Sequence, residues 1–277
     1  MLSVNTNVAS LTAQNNLAKS QTRMNTSLER LSTGLKINRA SDDPAGLVTS
    51  ELQKAQISGL SGAIENIERG ITMVQTAESG LAEIGDLLLK IRDIAVTSAS
   101  DATQDASSLA ANQAEVDALT ASITRISNTT KFGTQNLLDG TVGVAGTATF
   151  QIGAFSGETA TLAIADSDAT ALGVNALDVT SSADATLALV DIDAAIDQVT
   201  TARGDLGAFA SGTLESTKNN NLSQLENLQH AESILRDTDF QKEIATFTSE
   251  QIRQQAASTV LGMANQSSQS IIQLLRG

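Results

Sequence analysis

The chain has 277 residues, with six Phe, one Pro and no Trp, Tyr or Cys. The missing Cys excludes disulfides and thiolate metal sites. The shortage of aromatic residues predicts a core of Leu, Ile, Val and Ala, which suits helices packed side by side. A formal net charge of −14 argues against nucleic acid as a partner, because phosphate binding requires clustered Lys and Arg.

The charge is uneven along the chain. Residues 1–100 carry 10 acids and 9 bases, residues 101–200 carry 13 and 2, and residues 201–277 carry 8 and 6. We interpret the nearly neutral ends as surfaces that pack against copies of the same chain, and the acidic middle as a surface that faces water.

The N-terminus has no basic segment followed by an unbroken apolar stretch, so we expect no cleaved signal peptide. No segment reaches the roughly 18 apolar residues that a membrane span requires, so we expect no membrane partner.

The first predicted helix lies within the N-terminal 35 residues. Its apolar residues recur at sums of three and four: Val4, Val8, Leu11, Leu17, Met24, Leu28, Leu31 and Leu35. Packing on the chain's own domain and packing against a second copy are both open interpretations at this point.

The second predicted helix begins at Pro44, with Asp43 as its N-cap, and reaches about Ser98, a length of roughly 80 Å. Its stripe steps by three and four in turn except from Val74 to Ala77, where a stammer is expected to overwind it locally. We predict that this stripe packs a helical rod through Ile57, Leu60, Ile64, Ile67, Ile71, Val74, Leu81, Ile84, Leu88 and Ile91.

Three further segments follow in chain order. A shorter helical stripe runs from Leu109 to Ile126, and residues 140–185 change to the Gly, Ala, Thr, Ser and Asp typical of hairpins and loops. Helical spacing then returns from Leu189 to Leu206 and continues through Leu222, Leu225 and Leu228 to Ile234. This pattern predicts a chain that turns and packs back antiparallel to the second helix.

The C-terminal segment carries a looser apolar pattern: Ile244, Phe247, Ile252, Val260, Leu261, Ile271, Ile272, Leu274 and Leu275. Both ends are also rich in Asn, Gln, Ser and Thr, so alone they bury too little apolar surface to offset chain entropy. We therefore expect them to order on association.

Candidate chemistry is sparse. His230 is the only histidine, which leaves almost no material for a catalytic triad or a histidine zinc site. The pairs Asp42–Asp43 and Asp237 with Asp239 are interpreted as helix caps, and the central glycines lack phosphate-loop spacing. We expect no enzyme activity, no metal and no cofactor.

The segment Leu31-Ser-Thr-Gly-Leu-Lys-Ile-Asn-Arg-Ala-Ser-Asp-Asp-Pro-Ala-Gly-Leu47 strongly resembles the bacterial flagellin family. Further resemblance lies in Val4-Asn-Thr-Asn7, in Phe150-Gln-Ile-Gly153 with Gly157-Glu158, and between Leu187 and Leu206. It continues from Arg236-Asp-Thr-Asp-Phe240 to Leu274-Leu275-Arg276. These segments are spread over both ends and most of the middle.

The resemblance implies a mainly α fold: a long antiparallel helical bundle or coiled-coil rod with a small β-hairpin region and paired N- and C-terminal helices. It divides the chain into an inner terminal-helix domain (1–42 with 235–277), a rod (43–139 with 186–234) and a short hairpin region (140–185) in place of outer domains. It further implies a subunit that leaves the cell through the flagellar export apparatus and polymerises beneath a filament cap for swimming.

From the stripes and the resemblance we expect the filament core to be packed by Leu2, Val4, Val8, Leu11, Leu17, Leu28, Leu31, Leu261, Ile271, Ile272, Leu274 and Leu275. Deleting residues 1–20 or 258–277 should leave a soluble rod that forms no filaments.

Two more partners are implied by the resemblance alone. An export chaperone would wrap the C-terminal helix at Phe240, Ile244, Phe247 and Ile252. A Toll-like receptor senses many flagellins, but Lys90, Ile94 and Ser122 stand where well-recognised members have Arg, Leu and Glu, which weakens the expected contact.

Two alternatives stay open. The hook-filament junction protein shares the terminal helices but polymerises only into a short collar. A soluble acidic coiled-coil adhesin or binding module would form a discrete oligomer.

The chain also departs from the family at Ser211-Gly212, Glu232 and Ile234, where contacts of the returning helix are expected to differ.

Overall fold

The computed structural model describes residues 7–101, 104–143 and 146–276, with side chains described as far as residue 266. Within these residues the helices are α1 (Val8–Thr33), α2 (Pro44–Ser98), α3 (Ala106–Thr129), α4 (Ser182–Ala208), α5 (Ser216–Arg236) and α6 (Phe240–Arg276). A π-helical segment, Phe209–Glu215, joins α4 to α5. The predicted mainly α class, with paired terminal helices and a small hairpin region, is confirmed.

The chain forms two compact units. The first unit contains residues 1–55 and 227–277, and the second contains residues 56–226. These boundaries differ from the predicted domain boundaries, which lie between residues 42 and 43 and between residues 234 and 235. The three-part domain division stays a prediction.

In the first unit α1 packs antiparallel on α6. Asn7 caps α1 by accepting a hydrogen bond from the Ser10 amide (3.0 Å), and Gly34 ends it in the left-handed conformation (φ 75°). The connections that leave α1 and enter α6 pair with each other, because the Lys36 amide donates to the Arg236 carbonyl and the Thr238 amide donates to the Gly34 carbonyl.

The start of α2 follows the prediction. The Asp43 carboxylate accepts the Gly46 amide at 2.9 Å, which satisfies a free donor of the first turn, and Pro44 is the first helical residue. Asp42 instead accepts the Asn38 and Arg39 amides in the preceding loop. At α6 the capping residue is Asp239, which accepts the Gln241 and Lys242 amides.

The capping role predicted for Asp237 is wrong. Its carboxylate accepts a hydrogen bond from the Ser233 hydroxyl at 2.6 Å, one turn earlier in α5.

The second unit holds the hydrophobic core. It is built by the inner faces of α2, α3 and α4 together with the segment that follows the hairpin. Its fully buried large side chains include Ile67, Val74, Leu81, Ile84, Leu88, Ile91, Ile123, Leu137, Leu138, Ile192 and Leu214. Because these residues are aliphatic, the core agrees with the composition.

The predicted central hairpin is confirmed. Strand β1 (Lys131–Phe132) pairs with β2 (Gln135–Asn136), and β3 (Thr147–Gln151) pairs antiparallel with β4 (Thr159–Ala163), with Thr147 opposite Ala163. Two side chains hold the loop between β3 and β4. The side-chain amide of Gln151 donates to the Gly153 and Phe155 carbonyls, and the Glu158 carboxylate accepts a hydrogen bond from the Phe155 backbone amide.

The returning stripe departs from the prediction at Leu222 and Ile234, whereas the predicted Leu225 and Leu228 are half-buried. Leu222, which the sequence places on the buried stripe, is 42% exposed, while Asn221 beside it is buried. The π-helical segment shifts the buried face by one residue, and a constant helical period cannot anticipate that shift.

Candidate assembly surface on the terminal helices

The face of α1 that meets α6 is made mainly of small and polar residues. Its buried and half-buried positions are separated by three and four residues in turn, the spacing of a helix-pairing seam. They are Ser10, Ala13, Leu17, Ser20, Met24, Ser27 and Leu31. Four of these seven side chains are Ser or Ala, so the seam allows close approach but buries little apolar surface.

The matching face of α6 has the same spacing and carries two carboxylates. Its buried and half-buried residues are Glu243, Phe247, Glu250, Gln254, Ala257, Leu261 and Ala264. Glu243 and Glu250, seven residues apart, are only 9% and 5% exposed. Carboxylates this buried require hydrogen-bond or ionic partners across the seam.

Hydrogen bonds cross the seam along most of its length. The Ser27 hydroxyl donates to the Glu243 carboxylate, whose other oxygen lies 3.8 Å from the Arg30 guanidinium. Toward the other end, the Ser10 hydroxyl donates to the Asn265 side-chain oxygen at 2.8 Å. Gln254 donates to Gln21 between them. The helices therefore pair through hydrogen bonds as well as through the apolar residues of the seam.

Glu250 is less completely satisfied. Arg253 of the same helix lies 3.2 Å from its Oε1, and Arg23 of α1 lies 3.7 Å away. Its Oε2 is buried and has no hydrogen-bond partner among the described residues. An unpaired buried oxygen costs stability, so this layer weakens the pairing of α1 with α6.

Other large apolar side chains of the terminal helices lie outside the seam that Leu17, Met24, Leu31, Phe247 and Leu261 help to form. Val8 is 63% exposed on α1, and Ile252 is 61% exposed on α6. In the described part of the first unit, the exposed large apolar residues are Val8, Leu11, Leu28, Val48, Leu52, Ile234, Phe240, Ile244, Ile252, Val260 and Met263. We call this set the terminal apolar surface.

The described interior of the same unit contains far fewer apolar side chains than its surface exposes. Among its described residues, Ala13 and Ile37 are the buried hydrophobic ones. Full burial of a Val, Leu, Ile, Phe or Met side chain contributes about 1.5–3 kcal/mol. Among the described residues of the first unit, large apolar side chains are therefore more often exposed than buried.

An ion network lies beside this surface between α2 and α5. Arg236 bonds Glu51 at 2.8 Å, and Lys54 lies 3.8 Å from Glu51 and 3.9 Å from Glu232. The hydrogen bond from Arg236 and the charge of Lys54 lower the pKa of Glu51 below its ordinary value. Glu232, one of the departures from the family, thus pairs within its own chain.

The predicted filament-core residues divide into three groups. Val8, Leu11 and Leu28 are exposed on the terminal apolar surface, whereas Leu17, Leu31 and Leu261 are half-buried in the seam. Leu2 and Val4, and the side chains of Ile271, Ile272, Leu274 and Leu275, lie outside the described residues. Their role in packing a filament stays a prediction.

The predicted rod residues lie in the second unit. Ile57, Ile64 and Ile71 are half-buried, and the others are buried: Leu60, Ile67, Val74, Leu81, Ile84, Leu88 and Ile91.

The predicted partner-binding residues are placed as follows. Among the predicted chaperone contacts, Phe240, Ile244 and Ile252 are exposed, and Phe247 is half-buried in the seam. Of the predicted receptor contacts, Lys90 is exposed, while Ile94 and Ser122 are half-buried. Binding of either partner stays a prediction.

Sequence reasoning missed the polar half of the seam. It followed apolar residues, whereas Ser20, Ser27, Glu243 and Glu250 occupy the positions that meet the partner helix. The available signal was a seven-residue spacing on each helix. It relates Ala13, Ser20 and Ser27 on α1, and Glu243 and Glu250 on α6.

The described residues offer no alternative chemical centre. None of their His, Asp and Glu side chains form a group of three that could hold a metal ion, and His230 is exposed on α5. Nor does any helix of that part of the chain combine the length and apolar character needed to cross a membrane.

Two family descriptions match most of the chain. "Bacterial flagellin N-terminal helical region" matches residues 4–142, and "Bacterial flagellin C-terminal helical region" matches residues 189–275. A flagellin of Bacillus subtilis (strain 168) is 41% identical over 99% of both chains. The chain belongs to the flagellin family.

Solved structures agree with this membership. The crystal structure of Bacillus cereus flagellin is 26% identical and has a TM-score of 0.50, with 57% of this chain and 88% of that chain covered. A putative flagellar hook-associated protein from Vibrio parahaemolyticus has a TM-score of 0.58 over 70% of this chain and 99% of its own. At 15% identity the latter shows a shared fold only.

Proposed function

We propose that this chain is the structural subunit of a bacterial flagellar filament and polymerises with copies of itself for swimming motility. The observation that carries the proposal is the first unit, which pairs α1 and α6 through a polar seam and leaves the terminal apolar surface exposed. Membership of the flagellin family supports the same conclusion.

The physical mechanism is burial of this surface between subunits. Covering exposed apolar side chains against a neighbouring subunit is favourable, because it removes apolar surface from water. A first unit with so small an apolar interior gains much of its order from its neighbours. Folding of α1 and α6 is thus coupled to assembly.

A paired substitution tests this mechanism. Ile244→Gln with Ile252→Gln removes two exposed apolar side chains from α6 while keeping good helix formers. If each substitution loses about half of the free energy that full burial of the side chain contributes, the critical concentration for polymerisation should rise roughly tenfold or more. Sedimentation of polymer against subunit concentration measures it.

The matched control is Leu187→Gln with Val190→Gln, two exposed apolar residues on α4 of the second unit. Its critical concentration should stay within about twofold of the parent. Equal critical concentrations for the α6 variant and the parent, with both helical by circular dichroism, would contradict the proposal.

A structural rather than catalytic role follows from the same proposal. Membership of the flagellin family supports this structural role. The exposed apolar side chains of the first unit are also consistent with a role in packing. The subunit would act outside the cell, in the filament, after export through the flagellar apparatus without a cleaved signal peptide. A filament cap and a hook-filament junction protein would be its neighbours at the two ends of the polymer.

The hook-filament junction role is not favoured. Relatives that cover 99% of both chains include flagellins, whereas the likeness to a hook-associated protein is limited to the fold. Seeded polymerisation followed by electron microscopy separates the two roles, since a filament subunit gives long tubes and a junction protein gives short collars. A soluble adhesin would give a discrete oligomer.

We further propose that an export chaperone binds α6 before assembly. Phe240, Ile244 and Ile252 are exposed and available in the unpolymerised subunit, whereas Phe247 is half-buried in the seam with α1. A chaperone that also contacts Phe247 must therefore separate α6 from α1. The polar seam favours this, because its hydrogen bonds can be exchanged for water at small net cost.

Calorimetric titration of the chaperone against the unpolymerised subunit tests this step. Phe240→Ser should weaken binding about tenfold, as expected for the loss of one exposed aromatic anchor. Leu222→Ser, on α5 of the second unit, should bind like the parent. Loss of affinity in the control alone, or in neither variant, would refute the assignment.

A further inference from the structure

The π-helical segment Phe209–Glu215 marks a one-residue shift in the buried face of the returning helices. Before it, the side chains of Ile192, Val199 and Leu206 are buried at intervals of seven residues, and after it Leu214 and Asn221 continue at the same interval. Between Leu206 and Leu214 the interval is eight. Such segments arise where a helix accommodates one extra residue.

The extra residue keeps both helices facing the core. One residue turns an α-helix by about 100°, so an uninterrupted α-helix would carry Leu214 and Asn221 off the buried face. The widened turn absorbs that rotation. The position of the π-helical segment therefore decides which side of α5 is buried.

The β3–β4 hairpin holds this segment from both sides. The ring of Phe150 in β3 lies 6.0 Å from that of Phe209, at an interplanar angle of 41°. Past the segment, the buried Asn221 side chain donates to the Ile152 carbonyl at 2.7 Å. One hairpin therefore contacts the first residue of the segment and a residue six positions past its end.

Helix α2 supplies the opposite wall. A Cβ added at Gly70 would lie 3.2 Å from the Phe150 ring and 3.3 Å from Leu214, so both side chains pack closely against this glycine. Ion pairs bracket the segment, with Arg203 beside Glu78 (3.9 Å) and Lys218 beside Glu68 (2.7 Å). The three-residue step from Val74 to Ala77 in α2 falls inside this bracket.

We propose that Phe209–Glu215 is a register switch whose position is set by the β3–β4 hairpin. While Phe150 and the Ile152 carbonyl hold both sides, the extra residue stays between α4 and α5. When the hairpin contact is lost, the extra residue moves into α5, and each turn that it passes rotates by about 100° relative to α4.

The absence of native Cys allows a direct test by cross-linking. The pair Glu68→Cys with Lys218→Cys reports the register of α5, and the pair Arg92→Cys with Asp193→Cys, which replaces an ion pair of 2.7 Å, reports the register of α4. Each pair is treated with a short bifunctional thiol reagent, with and without Phe150→Ala.

Phe150→Ala should lower cross-linking of the α5 pair roughly fivefold, the change expected from losing one aromatic contact, and leave the α4 pair unchanged. Phe155→Ala, at the exposed hairpin tip, is the matched control and should change neither pair. Equal cross-linking of the α5 pair with and without Phe150 would overturn the proposal.

Deleting the extra residue gives an independent measurement. Gly212 has open space around it. Its removal should let α4 and α5 join into one α-helix, with a thermal midpoint of unfolding at or above that of the parent. Removal of Gly204 from α4, where the surroundings are equally open, should lower the midpoint, because no extra residue exists there. If both deletions lower it equally, the segment carries no extra residue and the proposal fails.

Discussion

At the residue scale, the helix interiors show how close packing overrides helix propensity. Gly80 and Gly85 lie five residues apart in α2, and both would be expected to weaken the helix relative to Ala. A Cβ at Gly80, however, would lie 2.8 Å from both Leu138 Cδ1 and Thr130 Oγ1, while one at Gly85 would meet only Val199 at 3.9 Å. Glycine is required at the first position and not at the second.

Gly80→Ala should therefore destabilise the second unit by about 1–3 kcal/mol, because Leu138 is fully buried and Thr130 is tied to the Ile126 carbonyl. Gly85→Ala should stabilise it by roughly 0.5–1 kcal/mol. Urea unfolding of the unpolymerised subunit measures both. Equal unfolding midpoints would show that Leu138 and Thr130 yield freely.

At the element scale, α1 and α6 are paired by hydrogen bonds as well as by apolar contact. The Ser27 hydroxyl donates to the Glu243 carboxylate inside the seam, and Arg30 lies farther away at 3.8 Å. A carboxylate that loses a donor while buried keeps its desolvation cost. The seam is therefore sensitive to single small polar residues that a hydrophobic pattern overlooks.

Ser27→Ala should weaken the pairing of α1 with α6 by about 1–3 kcal/mol, since it leaves Glu243 Oε1 without its donor. Amide exchange in both helices should accelerate while exchange in residues 56–226 stays unchanged. Thr26→Ala is the adjacent control, because its hydroxyl bonds only the Thr22 carbonyl of its own helix. The same acceleration in both variants would argue against a specific role for Ser27.

At the scale of the whole molecule, each unit has its own balance of burial. The second unit contains the large aliphatic core, while the described part of the first unit buries Ala13 and Ile37 and exposes the terminal apolar surface. Because apolar burial is the main favourable contribution to folding, the two units should differ in stability when the subunit is free.

We expect unfolding of the free subunit in two stages. Amides of α1 and α6 should exchange at least about tenfold faster than those of the core helices, and polymerisation should remove most of that difference. Hydrogen exchange with mass spectrometry on subunit and polymer measures it. Equal protection of α1 and of residues 56–98 in the free subunit would contradict folding coupled to assembly.

The sequence by itself determined the helices, their approximate ends and the family. The capping pair Asp43 and Pro44, the three-and-four spacing from Ile57 to Ala95 and the alternating residues of the hairpin are local signals, because each depends on backbone geometry within a few residues. They predicted the start and end of α2 and the position of the hairpin correctly.

Only the tertiary structure decided which face of each terminal helix meets its partner. Apolar spacing put Val8, Leu11 and Leu28 with Leu17 and Leu31 in one stripe, but the fold places the first three outside and the other two in the seam. It also placed Asn221 rather than Leu222 on the buried side of α5. Periodicity identifies a face within one helix, whereas polar partners and one extra residue are selected by contacts between segments far apart in the chain.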